Sequence, residues 1–169
     1  MEGPVVTGRY AVKTDVSSYQ SQQEIEKMLR RYGADAFQYG WDNNKAAVGF
    51  RTQDRHVRFV VPLPDKTDDE FTRTPARKQK RTPAETEKAW EQACRQRWRA
   101  LALAVKAKLE AVEVGIATFD DEFAAYIVLP NGRTVGEWLT PQIEEAYETG
   151  VMPELMPGLD RQIEVSSRG

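Results

Sequence analysis

Lys45-Ala46-Ala47-Val48-Gly49-Phe50-Arg51-Thr52-Gln53-Asp54-Arg55-His56-Val57-Arg58-Phe59-Val60-Val61 is the stretch on which the fold turns. Side chains of a strand point alternately to its two faces, so a half-buried strand is apolar at every second position. Ala46, Val48 and Phe50 keep that period, and so do Val57, Phe59 and Val61. Thr52-Gln53-Asp54 turns the chain between them. Two antiparallel strands sharing one apolar face follow. The opposite face carries Lys45 and Arg51 from the first strand and His56 and Arg58 from the second. Ala47 and Gly49 separate Lys45 from Arg51, so charge there gathers at the strand ends. Arg55 has the parity of the apolar face and belongs at its margin. Upstream, Ala36-Phe37-Gln38-Tyr39-Gly40-Trp41 reads as a preceding strand, joined by a turn at Asp42-Asn43-Asn44, where Asn tolerates positive φ. Pro62 and Pro64 stop the third strand.

A sheet with one apolar face needs a second layer. Thr82 is a good N-cap, Pro83 a good first helical residue and Glu85 the capping-box partner. From there a helical pattern runs to about Val114, with Trp90, Cys94, Trp98, Leu101, Val105, Leu109 and Val112 on one apolar stripe and Gly115 at the end. Some 30 residues at 1.5 Å each make a rod of about 45 Å.

Ahead of the sheet, Ser18 or Ser21 caps a helix carrying Ile25, Met28, Leu29 and Tyr32 and ending at Gly33. Arg9 to Lys13 reads as an edge strand or an arm. Beyond Gly115, Asp120-Asp121-Glu122 suits a helical first turn capped by Thr118, with Phe119, Phe123, Tyr126 and Ile127 at helical spacing. Thr134 and Glu137 form the box of a last helix running through Trp138, Ile143 and Tyr147 to Gly150. Pro141 either interrupts that helix or marks its true first turn, and Gly136 and Thr140 favour the second option.

The expected fold is one α+β domain over residues 1–169: a three-stranded antiparallel meander packed against a long central helix, with additional N- and C-terminal helices. Residues 65–82, with almost nothing apolar except Phe71 and punctuated by Pro75 and the Pro83 that follows, read as a flexible exposed loop, and residues 160–169 as a frayed tail.

With 169 residues and hydrophobic content of 40% the chain can bury a real core. Its single cysteine, Cys94, can form neither an internal disulfide nor a cysteine-based zinc site. No apolar run approaches 18 residues, so no membrane span is expected, and the first residues lack a signal-peptide pattern. The expected location is the cytoplasm, that of a host cell if the chain is phage-encoded.

A net charge of -2 conceals a reversal. Arg73 to Lys108 holds eleven Lys or Arg against three Glu, and Leu109 to Gly169 holds three basic residues against twelve acidic ones. Arg73, Arg77, Lys78, Lys80 and Arg81 crowd the segment before the long helix. Lys88, Arg95, Arg99 and Lys106 then fall near one helical face, at spacings of seven, four and seven. Guanidinium groups fork onto phosphate oxygens without losing charge, so this pattern suits a polyanion. The alternative for the same face is a solvated surface supported by pairs such as Glu91 with Arg95. Single-stranded nucleic acid also asks for aromatic platforms. Candidates are Trp41, just before a turn, with Tyr39, Phe50, Phe59, Trp90 and Trp98, each of which could equally be core. Arg51 and Arg58 complete the candidate set.

Carboxylates at Asp120, Asp121, Glu122, Glu137, Glu144, Glu145 and Glu148 could hold Mg²⁺ for a nuclease, yet most sit in helix first turns or on exposed helix faces, where the helix dipole explains them. His56 is the only histidine. No P-loop, Rossmann fingerprint, HExxH or nucleophile elbow occurs. No metal or cofactor is expected. The opposed charges of the two halves also favour self-association.

The segments Leu29-Arg30-Arg31-Tyr32-Gly33-Ala34, Gln92 to Leu101, Lys106 to Val112, Leu129-Pro130-Asn131-Gly132-Arg133-Thr134-Val135-Gly136 and Met152-Pro153 with Leu155-Met156-Pro157-Gly158 resemble a family of small uncharacterised proteins of bacteriophages and prophages, over residues 10 to 159. The resemblance implies a phage setting, with replication or recombination as context, and carries over no site residues. The expected function is non-catalytic binding of single-stranded nucleic acid, with a homodimer possible. The alternatives are a phage-encoded interaction or regulatory protein acting on a host partner and, second, a Mg²⁺-dependent nuclease.

Overall fold

A computed structural model describes residues 8–42 and 44–152. Along the chain it forms α1 (Gly8–Tyr32), β1 (Ala36–Trp41), β2 (Lys45–Thr52), β3 (Arg55–Pro62), α2 (Asp69–Thr72), α3 (Pro83–Glu113), α4 (Phe119–Phe123) followed by a 3-10 turn (Ala124–Tyr126), and α5 (Val135–Thr149). The fold is α+β, as the period of the sequence requires.

The strands form one antiparallel sheet in the order β1-β2-β3. Cross-strand partners such as Val48 with Phe59 and Phe50 with Val57 put the alternating apolar residues on a common inner face. Gln53 and Asp54 make the β2–β3 connection with φ of 50° and 61°. Two positive values in a two-residue loop define the hairpin turn whose twist matches that of the strands. At the β1–β2 turn, Asp42 Oδ1 accepts the backbone N–H groups of Asn44 and Lys45. Asn43 lies outside the described residues. On the far side of β3, Ile127 bridges to Val57, and the Val128 N–H donates to the His56 carbonyl at 2.7 Å.

The inner face meets α3. Trp98, Ala102, Val105 and Leu109 are buried with Ala46, Val48, Phe50, Val57, Phe59 and Val61, and Ile25 and Leu29 of α1 join the same core. Thr82 and Glu85 form the complete capping box, with Pro83 in the first turn. Gly115, at φ 78°, takes the left-handed position beyond the helix end.

Helix α1 starts at Gly8, not at Ser18 or Ser21, and Arg9 to Lys13 are helical rather than an edge strand or arm. Ser18 and Ser21 lie within this helix, and the residues that α1 buries in the shared core, Ile25 and Leu29, come after both. The C-terminal turns of α1 and α3 lie together, with Met28, Arg31 and Tyr32 beside Lys106, Leu109, Glu110 and Glu113.

Residues 65–82 carry structure of their own. Phe71 of α2 is buried, Arg73 and Lys80 form a bridge, and the Thr74 N–H donates to the Gln79 carbonyl at 2.8 Å. Just before this segment, the Pro62 and Pro64 carbonyls accept from Arg97 and Trp90 of α3 at 2.6 and 2.7 Å. The tail at 160–169 lies outside the described residues.

The capping box of Thr134 and Glu137 is formed, and α5 passes through Pro141 to Gly150 at φ 69°. Pro141 is therefore neither an interruption nor a first-turn residue. Proline cannot donate to the carbonyl four residues back, which is that of Glu137. The Arg133 guanidinium donates to that carbonyl instead. Gly136 is required for another reason: a Cβ there would stand 2.9 Å from the Ala125 carbonyl oxygen. Among the described residues no helix is long and apolar enough to cross a membrane.

Phe123 is fully buried among Phe50, Phe59 and Phe119. Phe123→Ala should lower unfolding free energy by about 3–5 kcal/mol. Gly136→Ala should destabilise by about 1–3 kcal/mol even though alanine is the better helix former, because backbone has to move. Urea midpoints with unchanged slopes check both.

Candidate nucleic-acid interface

Among the described residues of the acidic C-terminal half, three carboxylates reach cations on other elements, two of them on β3, while Glu144, Glu145 and Glu148 stay exposed on α5 without an ion-pair partner. Arg55, at the margin of the inner face, forks onto Asp120 of α4 at 3.2 and 3.1 Å. Arg58 reaches Glu137 of α5 at 3.0 Å. Lys108 donates to the Glu122 carbonyl at 2.8 Å and to its carboxylate at 3.2 Å. Arg51 is held at 2.8 Å by Asp35, just before β1. That guanidinium keeps the Asp35 carboxyl below its usual value.

Arg51 and Arg58 stand on the outer face of the sheet. With His56 and Gln38 they flank a groove of about 890 Å³, with Gly40, Ala47 and Gly49 among its lining and Val128, Leu129 and Pro130 opposite. The small residues follow from β2 parity, since positions 47 and 49 face away from the core. Sequence reading placed His56 and Arg58 on this face. The groove itself needed Val128 to Pro130, which come from 70 residues further on.

The long helix keeps its cations differently. Lys88 and Arg99 are exposed, and neither has an ion-pair partner among the described residues. Arg95 forks onto Gln92 of its own helix at 3.2 and 2.7 Å, a neutral partner. Lys106 lies 4.0 Å from Glu110 one turn on, an exposed pair of small energetic value.

In the preceding segment Arg73 and Arg81 are structural braces. Arg73 pairs with Asp69 at 3.5 Å and donates to the Lys78 carbonyl, and Arg81 donates to the carbonyls of Glu70 and Phe71. They hold a turn on which Arg77, Lys78 and Lys80 are exposed with no ion-pair partner among the described residues. Lys78 sits at φ 51°, a left-handed conformation that the turn imposes on a non-glycine residue. This turn runs directly into the first turn of α3, so its cations and Lys88 belong to one end of the molecule.

The candidate residues therefore divide. The turn and the α3 stripe make one group. Arg51 and Arg58 make another on the far side of the sheet, because α3 covers the inner face. Trp41 belongs to neither: it stands 50% exposed on edge strand β1, beside Tyr39 at 44%. Three of the other aromatic candidates are core. Phe50, Phe59 and Trp98 are buried, since their parity faces the sheet–helix interior. Trp90 is half-buried, with its indole N–H bound to the Pro64 carbonyl and the Lys66 ammonium 5.6 Å from its ring centre. It anchors the segment after β3.

Asp120, Glu122 and Glu137 are engaged as described, and Asp121 closes the capping box with Thr118. Among the described residues no three of His, Cys, Asp and Glu come together as a metal-holding group. Burial pushes the Cys94 thiol up to about 11, far from a thiolate at neutral pH. Comparison with family models, with curated proteins and with solved structures returned no match.

Glu85 and Glu137 accept the backbone N–H groups of Thr82 and Thr134, and Asp121 accepts from the hydroxyl and N–H of Thr118; all three carboxyls lie below their usual values. A depressed native value means that the unfolded chain binds protons first. The stabilisation is complete above about pH 5 and is lost as pH falls through the usual carboxyl range near 4 and below. The Glu85→Gln, Asp121→Asn, Glu137→Gln triple variant, which has no carboxyl to titrate at these caps, should be less stable at neutral pH and should lose less stability on acidification. Urea unfolding between about pH 3 and pH 7 measures both.

Proposed function

We propose that this chain is a non-catalytic protein that binds single-stranded nucleic acid through its phosphates, on the surface formed by Arg77, Lys78, Lys80, Lys88, Arg95 and Arg99. The observation that carries this reading is where the protein's own acids go. Asp35, Asp120, Glu137 and Glu122 pair with Arg51, Arg55, Arg58 and Lys108, while Arg77, Lys78, Lys80, Lys88, Arg95 and Arg99 have no ion-pair partner among the described residues.

Single strands fit better than duplex. A groove-reading helix must project from its fold. Helix α3 is packed on the sheet along one side and on α1 along another, which leaves only a flat stripe. A single strand can bend to follow such a stripe, and guanidinium forks recognise its phosphates whatever the sequence. The phage resemblance gives replication or recombination as the setting.

Fluorescence anisotropy with a labelled single-stranded oligonucleotide tests the reading. Affinity should fall more than tenfold between about 50 and 200 mM salt. The Lys88→Ala, Arg99→Ala double variant should bind several-fold more weakly across sequences, while Arg51→Ala with Arg58→Ala should not. Affinity weaker than about millimolar at low salt would dismiss the proposal.

A second reading rests on α5, which has no buried residue and shows Trp138, Ile143 and Tyr147 to solvent. Ile143 and Tyr147, one turn apart, share a side of the helix that suits a host protein partner. Capture of one defined protein from nuclease-treated lysate, lost on Tyr147→Ala, would favour it over the first reading.

A further inference from the structure

Strand β1 ends the sheet with its second edge unpaired among the described residues. The pairing shows which backbone groups are left over. The Asp42 N–H donates to the Lys45 carbonyl at 2.8 Å, so the hydrogen-bonded pairs of this ladder fall at Asp42–Lys45, Gly40–Ala47, Gln38–Gly49 and Ala36–Arg51. The N–H and C=O groups of Phe37, Tyr39 and Trp41 therefore point away from β2. Their side chains share the inner-face parity, being opposite Phe50, Val48 and Ala46. Tyr39 and Trp41 stay largely in water because the core stops short of this edge.

Natural edge strands are protected by a charge, a proline or a bulge. Ala36-Phe37-Gln38-Tyr39-Gly40-Trp41 has none of these. Charges occur only beside its ends, and each is neutralised within the chain, Asp35 by Arg51 and Asp42 by Lys45.

We infer that β1 pairs with β1 of a second copy of this chain, antiparallel about a two-fold axis at Tyr39, to give a continuous six-stranded sheet. The register is self-complementary. Tyr39 faces Tyr39 of the other copy, and Phe37 faces Trp41 in both directions. All three outward N–H groups and all three outward carbonyls then find partners. The aromatic side chains form one ladder on the inner face, an arrangement that stabilises antiparallel pairs. A foreign strand could satisfy the backbone groups, but the lack of charge and the matched spacing of one sequence with itself favour a like copy. The pairing involves neither the α3 stripe nor the turn before it, so it stands apart from nucleic-acid binding.

Sedimentation of the nucleic-acid-free protein tests this directly. Wild type should pass from monomer to dimer between about 1 and 200 μM, as expected for an interface below the standard size of roughly 1,600 Å². Tyr39→Lys places like charges face to face and should be monomeric throughout, whereas Tyr147→Lys on α5 should dimerise as wild type does. A cysteine probe covers the case in which Tyr39→Lys misfolds. Hydrogen-bonded antiparallel partners have Cα atoms about 5.5 Å apart, within disulfide reach. Tyr39→Cys should therefore give a covalent dimer under mild oxidation and Gln38→Cys should not, with buried Cys94 silent in both. A wild type that is monomeric throughout, a Tyr147→Lys variant that loses the dimer, or equal cross-linking of the two cysteine variants would overturn the inference.

Discussion

Phe123 closes the core, and the rest of the C-terminal half is placed by that one burial. Its ring meets Phe119 at 4.6 Å and stands edge-on to Phe50 and Phe59 at 5.9 and 6.2 Å. Thr118 sets the start of α4, so that Phe119 and Phe123, one turn apart, both point at the sheet. The Lys108 ammonium lies 5.9 Å from the Phe123 ring centre while bonded to the Glu122 carbonyl and carboxylate, which fixes α4 against α3. With that short helix seated, Ile127 falls beside Val57, Val128 bonds to the His56 carbonyl, and α5 begins next to β3.

The charge distribution follows from this placement. Seating α4 and α5 over the β3 side of the sheet carries Asp120 and Glu137 to Arg55 and Arg58. Exposed pairs of this kind add about 0–1 kcal/mol each. Their importance is that they remove those arginines from the pool available to an outside anion. Helix α3 runs on the inner face, and of its stripe Arg95 and Lys106 meet Gln92 and Glu110 of their own helix while Lys88 and Arg99 have no ion-pair partner among the described residues. A chain of net charge -2 thus keeps Arg77, Lys78, Lys80, Lys88, Arg95 and Arg99 out of ion pairs among the described residues, and the proposed function depends on them.

Strand spans, the inner-face residues, the capping boxes of Thr82 with Glu85 and Thr134 with Glu137, and Thr118 as a cap were legible in the sequence, because each rests on residues no more than four apart. Readings that needed distant neighbours failed. Helix α1 runs through Ser18 and Ser21, because a residue suited to capping does not by itself end a helix. Pro141 looked like a boundary because nothing nearby in the sequence says that Arg133 will supply the donor Pro141 lacks. Phe50, Phe59 and Trp98 were drawn in as platforms by residue type, and their burial decided otherwise. The residues around Phe71 looked featureless because one buried aromatic gives no period.

The sequence by itself determined the three-stranded meander, the long helix and the uneven division of charge, since periodicity, caps and composition are local properties of the chain. Only the tertiary structure decided which positive side chains are neutralised and which aromatic rings stay in water. Those outcomes depend on which acid and which hydrophobic surface arrive within a few ångströms, and packing brings them there from up to 79 positions away, as with Arg58 and Glu137.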